Sequence, residues 1–239
     1  MSKKDLVGDE ILTENANWTF SGEVSEKFDS HVSKSVPLYG VGHELIGRVS
    51  DFFLRDNSIC YDLGCSTGEL LRKLSQHVGH RKVRFIGLDC EKDMIQKAHE
   101  KCLELERVEF LEADLLDFEF EKSDLIVSYY SMQFVPPRSR QLLFDRIYES
   151  LNWGGGFILF EKVRAPDARL QDMMTAIYTD FKLDQGYTSE EIVAKTRSLK
   201  GVLEPFSTSG NLDLLKRAGF QDIMTIMKYV CFEGFLAIK

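Results

Sequence analysis

The stretch Cys60-Tyr61-Asp62-Leu63-Gly64-Cys65-Ser66-Thr67-Gly68-Glu69-Leu70-Leu71 constrains this chain more than any other. A short apolar run ends in an acid, turns through two glycines around small residues, and resumes with Leu70, Leu71 and Leu74 at helical spacing. The pattern is strand, turn, helix. In an open α/β sheet such a turn lies at the carboxyl end of a strand, where unpaired N–H groups of the next helix face a ligand crevice. Glycine at 64 and 68 permits positive φ and a close approach of backbone to ligand.

The spacing narrows the ligand. A dinucleotide fingerprint needs G-x-G-x-x-G, and Ser66 stands where its middle glycine would be. A P-loop needs lysine after its last glycine, whereas Gly68 is followed by Glu69. With Asp62 ahead of it, the turn resembles the D-x-G-x-x-x-G loop of S-adenosylmethionine-dependent enzymes with a Rossmann-like fold. Taken alone, it is also consistent with an ordinary strand-to-helix turn.

From Ser58 onward, apolar runs and helical stripes alternate. Strands are expected at Ile59–Leu63, Val83–Asp89, Val108–Leu111, Asp124–Tyr129 and Phe157–Phe160, with helices over 68–78 and 91–105. This order argues for a parallel sheet covered on both faces. Two final strands, Ile223–Val230 and Phe232–Ile238, are joined too tightly for a helical crossover, so they pair antiparallel. The expected fold is α/β, a seven-stranded and mostly parallel sheet with an antiparallel last strand. That ending belongs to the class I methyltransferase fold and is unusual for dinucleotide dehydrogenases.

Around this sheet, residues 1–57 are expected to form an N-terminal helical cap. Val24, Phe28 and Val32 make one stripe, Pro37 interrupts, and Leu45, Val49 and Phe52 make a second. Tyr39, in the turn between them, either packs the helices or faces the ligand. Residues 58–239 are the Rossmann-like domain. It carries a helical insertion at about 166–208 with Tyr178, Phe181 and Tyr187, then a helix stopped by Gly219.

The 239 residues, 44% hydrophobic, suffice for one such core, and the net charge of -8 without a Lys/Arg cluster disfavours direct work on nucleic acid. No apolar run approaches membrane-spanning length, so a cytoplasmic protein with no membrane contact is expected. Five scattered cysteines without a C-x-x-C pair, and histidines at 31, 43, 77, 80 and 99 without ligand spacing, indicate neither disulfides nor a metal site.

Three acids close three successive expected strands: Asp62, Asp89 and Asp114. Asp89 lies 89 − 64 = 25 residues beyond Gly64, near the roughly 20 expected of a ribose-binding acid. Asp114, with Leu115 beside it, is placed to take an adenine amino proton while the leucine covers the ring. Strand ends of this kind line one crevice, and we assign the three acids to a cofactor site.

Further segments are Trp18-Thr19-Phe20, Ser35-Val36-Pro37-Leu38-Tyr39, Met132-Gln133-Phe134, Asp180-Phe181-Lys182 with Gly186-Tyr187, and Lys195-Thr196-Arg197-Ser198. With Gly64-Cys65-Ser66, they resemble bacterial carboxy-S-adenosylmethionine synthases over nearly the whole chain. The resemblance implies an enzyme that uses prephenate to carboxylate S-adenosylmethionine, with phenylpyruvate as co-product. The carboxymethyl group is then passed by a second enzyme to a wobble uridine of tRNA. It implies cofactor contacts from Tyr39, Gly64, Cys65, Ser66, Asp89, Cys90, Asp114 and Leu115, a carboxylate-binding Arg197, and a homodimer. Where the family has Asn after strand four, this chain has Tyr129, which takes that place in the expected cofactor site. Two other functions fit the residues alone: a methyltransferase for a small-molecule acceptor, and a non-catalytic module that binds S-adenosylmethionine.

Overall fold

The computed structural model describes residues 4–239; residues 1–3 of the expected cap lie outside them. Two short strands, β1 (Asp5–Leu6) and β2 (Leu12–Thr13), pair antiparallel ahead of α1 (Glu23–Ser35) and α2 (Tyr39–Ser50). The alternating region follows: β3 (Ile59–Leu63), α3 (Glu69–His77), β4 (Arg84–Asp89), α4 (Lys92–Lys101), β5 (Val108–Glu112), β6 (Ser123–Tyr129), α5 (Pro137–Ser150) and β7 (Leu151–Lys162). Helices α6 (Ala168–Asp184) and α7 (Ser189–Ser198) interrupt it. The chain closes with α8 (Thr208–Ala218), β8 (Asp222–Tyr229) and β9 (Phe232–Ile238).

The main sheet has the order β5-β4-β3-β6-β7-β9-β8. β3 pairs parallel with β4 and β6, and β9 runs antiparallel to both β7 and β8, as expected. The order reverses at β3, so a crevice opens outside the carboxyl ends of β3 and β6. Side chains alternate across the pleat, which builds two cores. Phe85, Val127 and Phe160 pack with Leu71 of α3 on one face, and Leu63, Ile86 and Phe157 pack with Phe144 of α5 on the other.

Three features depart from the sequence reading. Helix α5 occupies ground to which no element was assigned; Pro137 opens it, and Leu143, Phe144 and Ile147 bury its inner face. β7 starts at Leu151 and carries Gly154-Gly155-Gly156 within it instead of starting after them. Phe52 lies beyond the end of α2 and is 79% exposed, so the stripe on that helix ends at Val49.

The cap and the insertion pack on each other above the crevice. The Ala16 and Trp18 N–H groups donate to the Arg197 and Ser198 carbonyls at 3.0 and 3.2 Å. The Tyr178 hydroxyl donates to the Ser35 carbonyl at 2.8 Å, and the Tyr187 hydroxyl lies 3.1 Å from Ser35 Oγ. Gly8 admits the Tyr187 ring, since a Cβ there would sit 2.1 Å from it.

Candidate active site

A cavity of about 750 Å³ lies between the strand ends and this roof. Tyr39, Gly64, Ser66, Asp89, Cys90, Asp114, Leu115 and Tyr129 all line it. The loop after β3 takes left-handed backbone at Gly64, Ser66 and Gly68, with φ of 75°, 48° and 76°. A Cβ on Gly64 would meet Ser131 Oγ at 2.3 Å, so glycine is needed there for space as well as for φ. The non-glycine residues Ser66 and Tyr130 both hold positive φ on the cavity wall, the backbone strain that collects at ligand sites.

Asp89 is tied into this loop. Its carboxylate accepts the Ser66 N–H at 2.9 Å and the Glu91 N–H at 3.0 Å, one on each oxygen. Burial raises its pKa and the backbone donors oppose that rise. Each carboxylate oxygen has a second lone pair, so acceptor capacity remains for a diol. Asp114, two residues beyond the end of the neighbouring β5, is exposed; the Leu116 N–H donates to its Oδ1 at 2.8 Å. Burial pushes the Cys90 thiol up to about 11, which keeps it protonated and a poor nucleophile.

Three assigned residues do not reach the cavity. Asp62 is buried beneath the loop at 2% exposure, and burial, then the neighbouring Asp89 charge, lifts its carboxyl to about 8. The side chain of Cys65 turns back into the sheet, where a Cβ on Gly87 would lie 2.9 Å from its sulfur; only the Cys65 backbone belongs to the loop. Arg197 is exposed and does not line the cavity, whereas Lys195 and Thr196 do. Successive helix residues are turned by about 100°, so one position along α7 separates the crevice wall from the outer surface.

Tyr129 lines the cavity with its ring, but its hydroxyl is engaged. It donates to the Tyr39 carbonyl at 2.6 Å, and the ring packs 4.9 Å from Tyr39 and 4.7 Å from His43. Gly42 on α2 makes room, because a Cβ there would stand 2.2 Å from the Tyr129 oxygen. Tyr129 thus fixes Tyr39 on the cavity wall.

The far wall holds groups that the sequence reading quoted without a role or passed over. Lys162, at the end of β7, has its Nζ 4.2 Å from the Tyr178 ring centre and 5.8 Å from that of Phe232. Lys182 on α6 stands 5.1 Å from Tyr178 and 5.8 Å from Tyr187. Lys195 on α7 lies over the Trp18 indole. His31, stacked on Trp18 at 5.6 Å, has its Nδ1 2.9 Å from Asp9, and its buried Nε2 has no hydrogen-bond partner among the described residues. Burial, reinforced by Lys195, lowers its pKa to about 4, so the ring is neutral and Nε2 can accept a proton or hydrogen bond. The sequence signalled little of this: Phe181-Lys182 sets one lysine beside an aromatic, and Lys195 follows the apolar run Ile192-Val193-Ala194.

A methyltransferase-domain family matches residues 60–155. The chain is 37% identical to the carboxy-S-adenosyl-L-methionine synthase of Staphylococcus epidermidis over 93% of its own length and 97% of that protein. It is 35% identical to the synthase of Sulfurimonas denitrificans over 98% and 100%. Among solved structures it resembles human N-acetylserotonin methyltransferase in complex with SAM (TM-score 0.58, 17% identity, 93% of this chain and 60% of that one). It also resembles a protein of Methanococcus maripaludis described as an S-adenosyl-L-methionine-dependent methyltransferase (TM-score 0.62, 20% identity, 95% and 96%). At such identities these structures speak for the fold alone.

Proposed function

This chain belongs to the carboxy-S-adenosyl-L-methionine synthase family, and we propose that it is a transferase that makes carboxy-S-adenosylmethionine from S-adenosylmethionine and prephenate. The observation that carries this most directly is the end of the crevice formed by the loop after β3 with Asp89 and Asp114. The left-handed turn at Gly64 and Ser66, the acceptor capacity left on Asp89, and Asp114 with Leu115 after the neighbouring strand suit a nucleoside with a charged tail. In our assignment Asp89 takes the ribose diol, Asp114 the adenine amino group, and Leu115 the adenine face. Tyr39, Ser66 and the Cys90 backbone border the methionine end.

In the net reaction, prephenate loses its ring carboxyl group and hydroxyl and becomes phenylpyruvate. The carboxyl carbon is joined to the S-methyl carbon, and the displaced methyl proton leaves with the hydroxide as water. Carbon dioxide set free in open solvent would be lost, so the roof of cap and insertion has a chemical use. We place the enzyme in the cytoplasm, upstream of a second enzyme that delivers the carboxymethyl group to wobble uridine.

Arg197 fits this scheme in one arrangement, a homodimer in which it enters the neighbouring copy's crevice and holds the new carboxylate in its planar fork. Support comes from the surface beside it. Leu170, Met173 and Ile177 follow one outer stripe of α6 at 42–54% exposure, with Val193 exposed on α7, an unpartnered apolar face that suits a second copy. Two aromatics of the insertion, Tyr178 and Tyr187, are turned to the cap instead of to this outer face.

Mass spectrometry of nucleotide extracted from fresh protein, and of the products formed from S-adenosylmethionine with prephenate, tests the function. The expected result is a cofactor heavier by one carboxyl group, together with phenylpyruvate. Unmodified S-adenosylmethionine with no phenylpyruvate would move the assignment to a small-molecule methyltransferase.

A further inference from the structure

Lys162, Lys182 and Lys195 come from three different elements, β7, α6 and α7, and line the same cavity. Lys182 and Lys195 are each 7% exposed. None of the three forms an ion pair or a hydrogen bond through its Nζ with any described residue. Their surroundings offer aromatic faces instead: Tyr178 lies between Lys162 and Lys182, Tyr187 beside Lys182, and Trp18 beneath Lys195. The acid whose charge acts on Lys195, Asp9, is already bound to His31 at 2.9 Å and Lys34 at 2.5 Å.

Buried cations that lack counter-charges and repel one another work against the folded state. Burial disfavours the charged form of all three and lowers the pKa, that of Lys182 to about 8, and Lys162 beside Lys182 and Lys182 beside Lys195 add to the shift, so an entering anion is what restores their full charge. An arrangement of this kind is complete only when anions enter the cavity. Three cations around aromatic walls fit two carboxylates carried on one ring-bearing body.

We propose that Lys162, Lys182 and Lys195 form the subsite for a dicarboxylate cosubstrate, gripping both of its carboxylates while Tyr178 and Trp18 flank its ring. This rests on the carboxylation reading for the identity of the cosubstrate as prephenate, but not for its charge. The subsite lies across the cavity from Asp89 and Asp114, so it takes the carboxyl donor and leaves the adenosyl end to the other substrate.

The test uses Lys182→Met and Lys195→Met, which keep side-chain length and remove charge, and Lys182→Arg, which keeps the charge. Calorimetry follows two ligands on full-length protein with S-adenosylmethionine present: prephenate, and phenylsuccinate as a dicarboxylate that cannot fragment. The expected result is binding of both to the parent protein, weakened roughly 10- to 100-fold in the Met variants and partly recovered in Lys182→Arg, with S-adenosylmethionine affinity within about twofold. The ligand-free Met variants should melt higher, by about 2–4 °C, since a buried amine without a partner, charged or neutral, has gone. Dicarboxylate binding that depends on the lysines, without turnover of prephenate, would uphold the subsite and overturn carboxylation. Turnover of prephenate with unchanged KM in the Met variants would overturn the subsite and leave carboxylation standing. No dicarboxylate binding by the parent protein would overturn the subsite.

Discussion

Tyr129 and Gly42 behave as one unit. A Cβ at 42 would meet the Tyr129 oxygen at 2.2 Å, and that oxygen holds the Tyr39 carbonyl. Gly42→Ala should therefore cost about 1–3 kcal/mol through overpacking, in spite of alanine's better helix propensity. In a Tyr129→Asn background, most of that cost should vanish. Chemical denaturation of the four proteins in a double-mutant cycle measures the coupling, and additive effects would show that the two sites are independent. Asp62 gives a prediction of different form. Its carboxyl is unfolded-like near 3.8 and folded near 8, so between those values the native state keeps a proton that the unfolded chain has released. Stability from this group therefore falls as pH rises across that window, by at most about 1.4 kcal/mol per pH unit. Asp62→Asn removes the dependence, so its stability advantage over the parent should be larger at pH 8 than at pH 5. Thermal unfolding of ligand-free protein at both values decides it, and an equal gap would mean that Asp62 titrates normally. Asp89 and Asp114 were readable from strand-end position alone. The lysine wall was not, because an unpaired charge is a property of what surrounds it in space.

At the scale of elements, β3, β4, β5 and β6 were legible within a residue or so, since buried parallel strands read as continuous apolar runs between turn signals. α5 was missed, although its proline belongs at a helix start and its buried residues keep helical spacing. β1 and β2 have two residues each, too few for any periodicity. Helix α7 shows what spacing without three-dimensional phase leaves open: it fixed the motif around Arg197 but not which of Lys195, Thr196 and Arg197 faces inward. That phase is held at the helix start by a capping box, in which Glu191 N–H donates to Thr188 Oγ1 at 3.2 Å and Thr188 N–H to Glu191 Oε2 at 2.8 Å. Thr188→Ala should cost about 1 kcal/mol. Urea denaturation would register it, and a stability within experimental error of the parent would show that packing alone holds α7.

For the whole molecule, the dimer is the open quantity. Ile177→Glu puts a charge in the exposed α6 stripe, where a monomer tolerates it and an apolar interface does not. Light scattering should give twice the chain mass for the parent and the single chain mass for this variant; a parent that is already monomeric would remove the proposed role of Arg197. The roof over the crevice also sets an order in time. Asp9 and Ser35 emerge from the ribosome far ahead of their partners Tyr187 and Tyr178, which lie 178 and 143 residues further along. Contacts of such span close late, after local structure has formed. The crevice is therefore enclosed late in synthesis: a nascent chain that already holds β3 to β7 has its strand ends in place but still lacks the roof that closes over them.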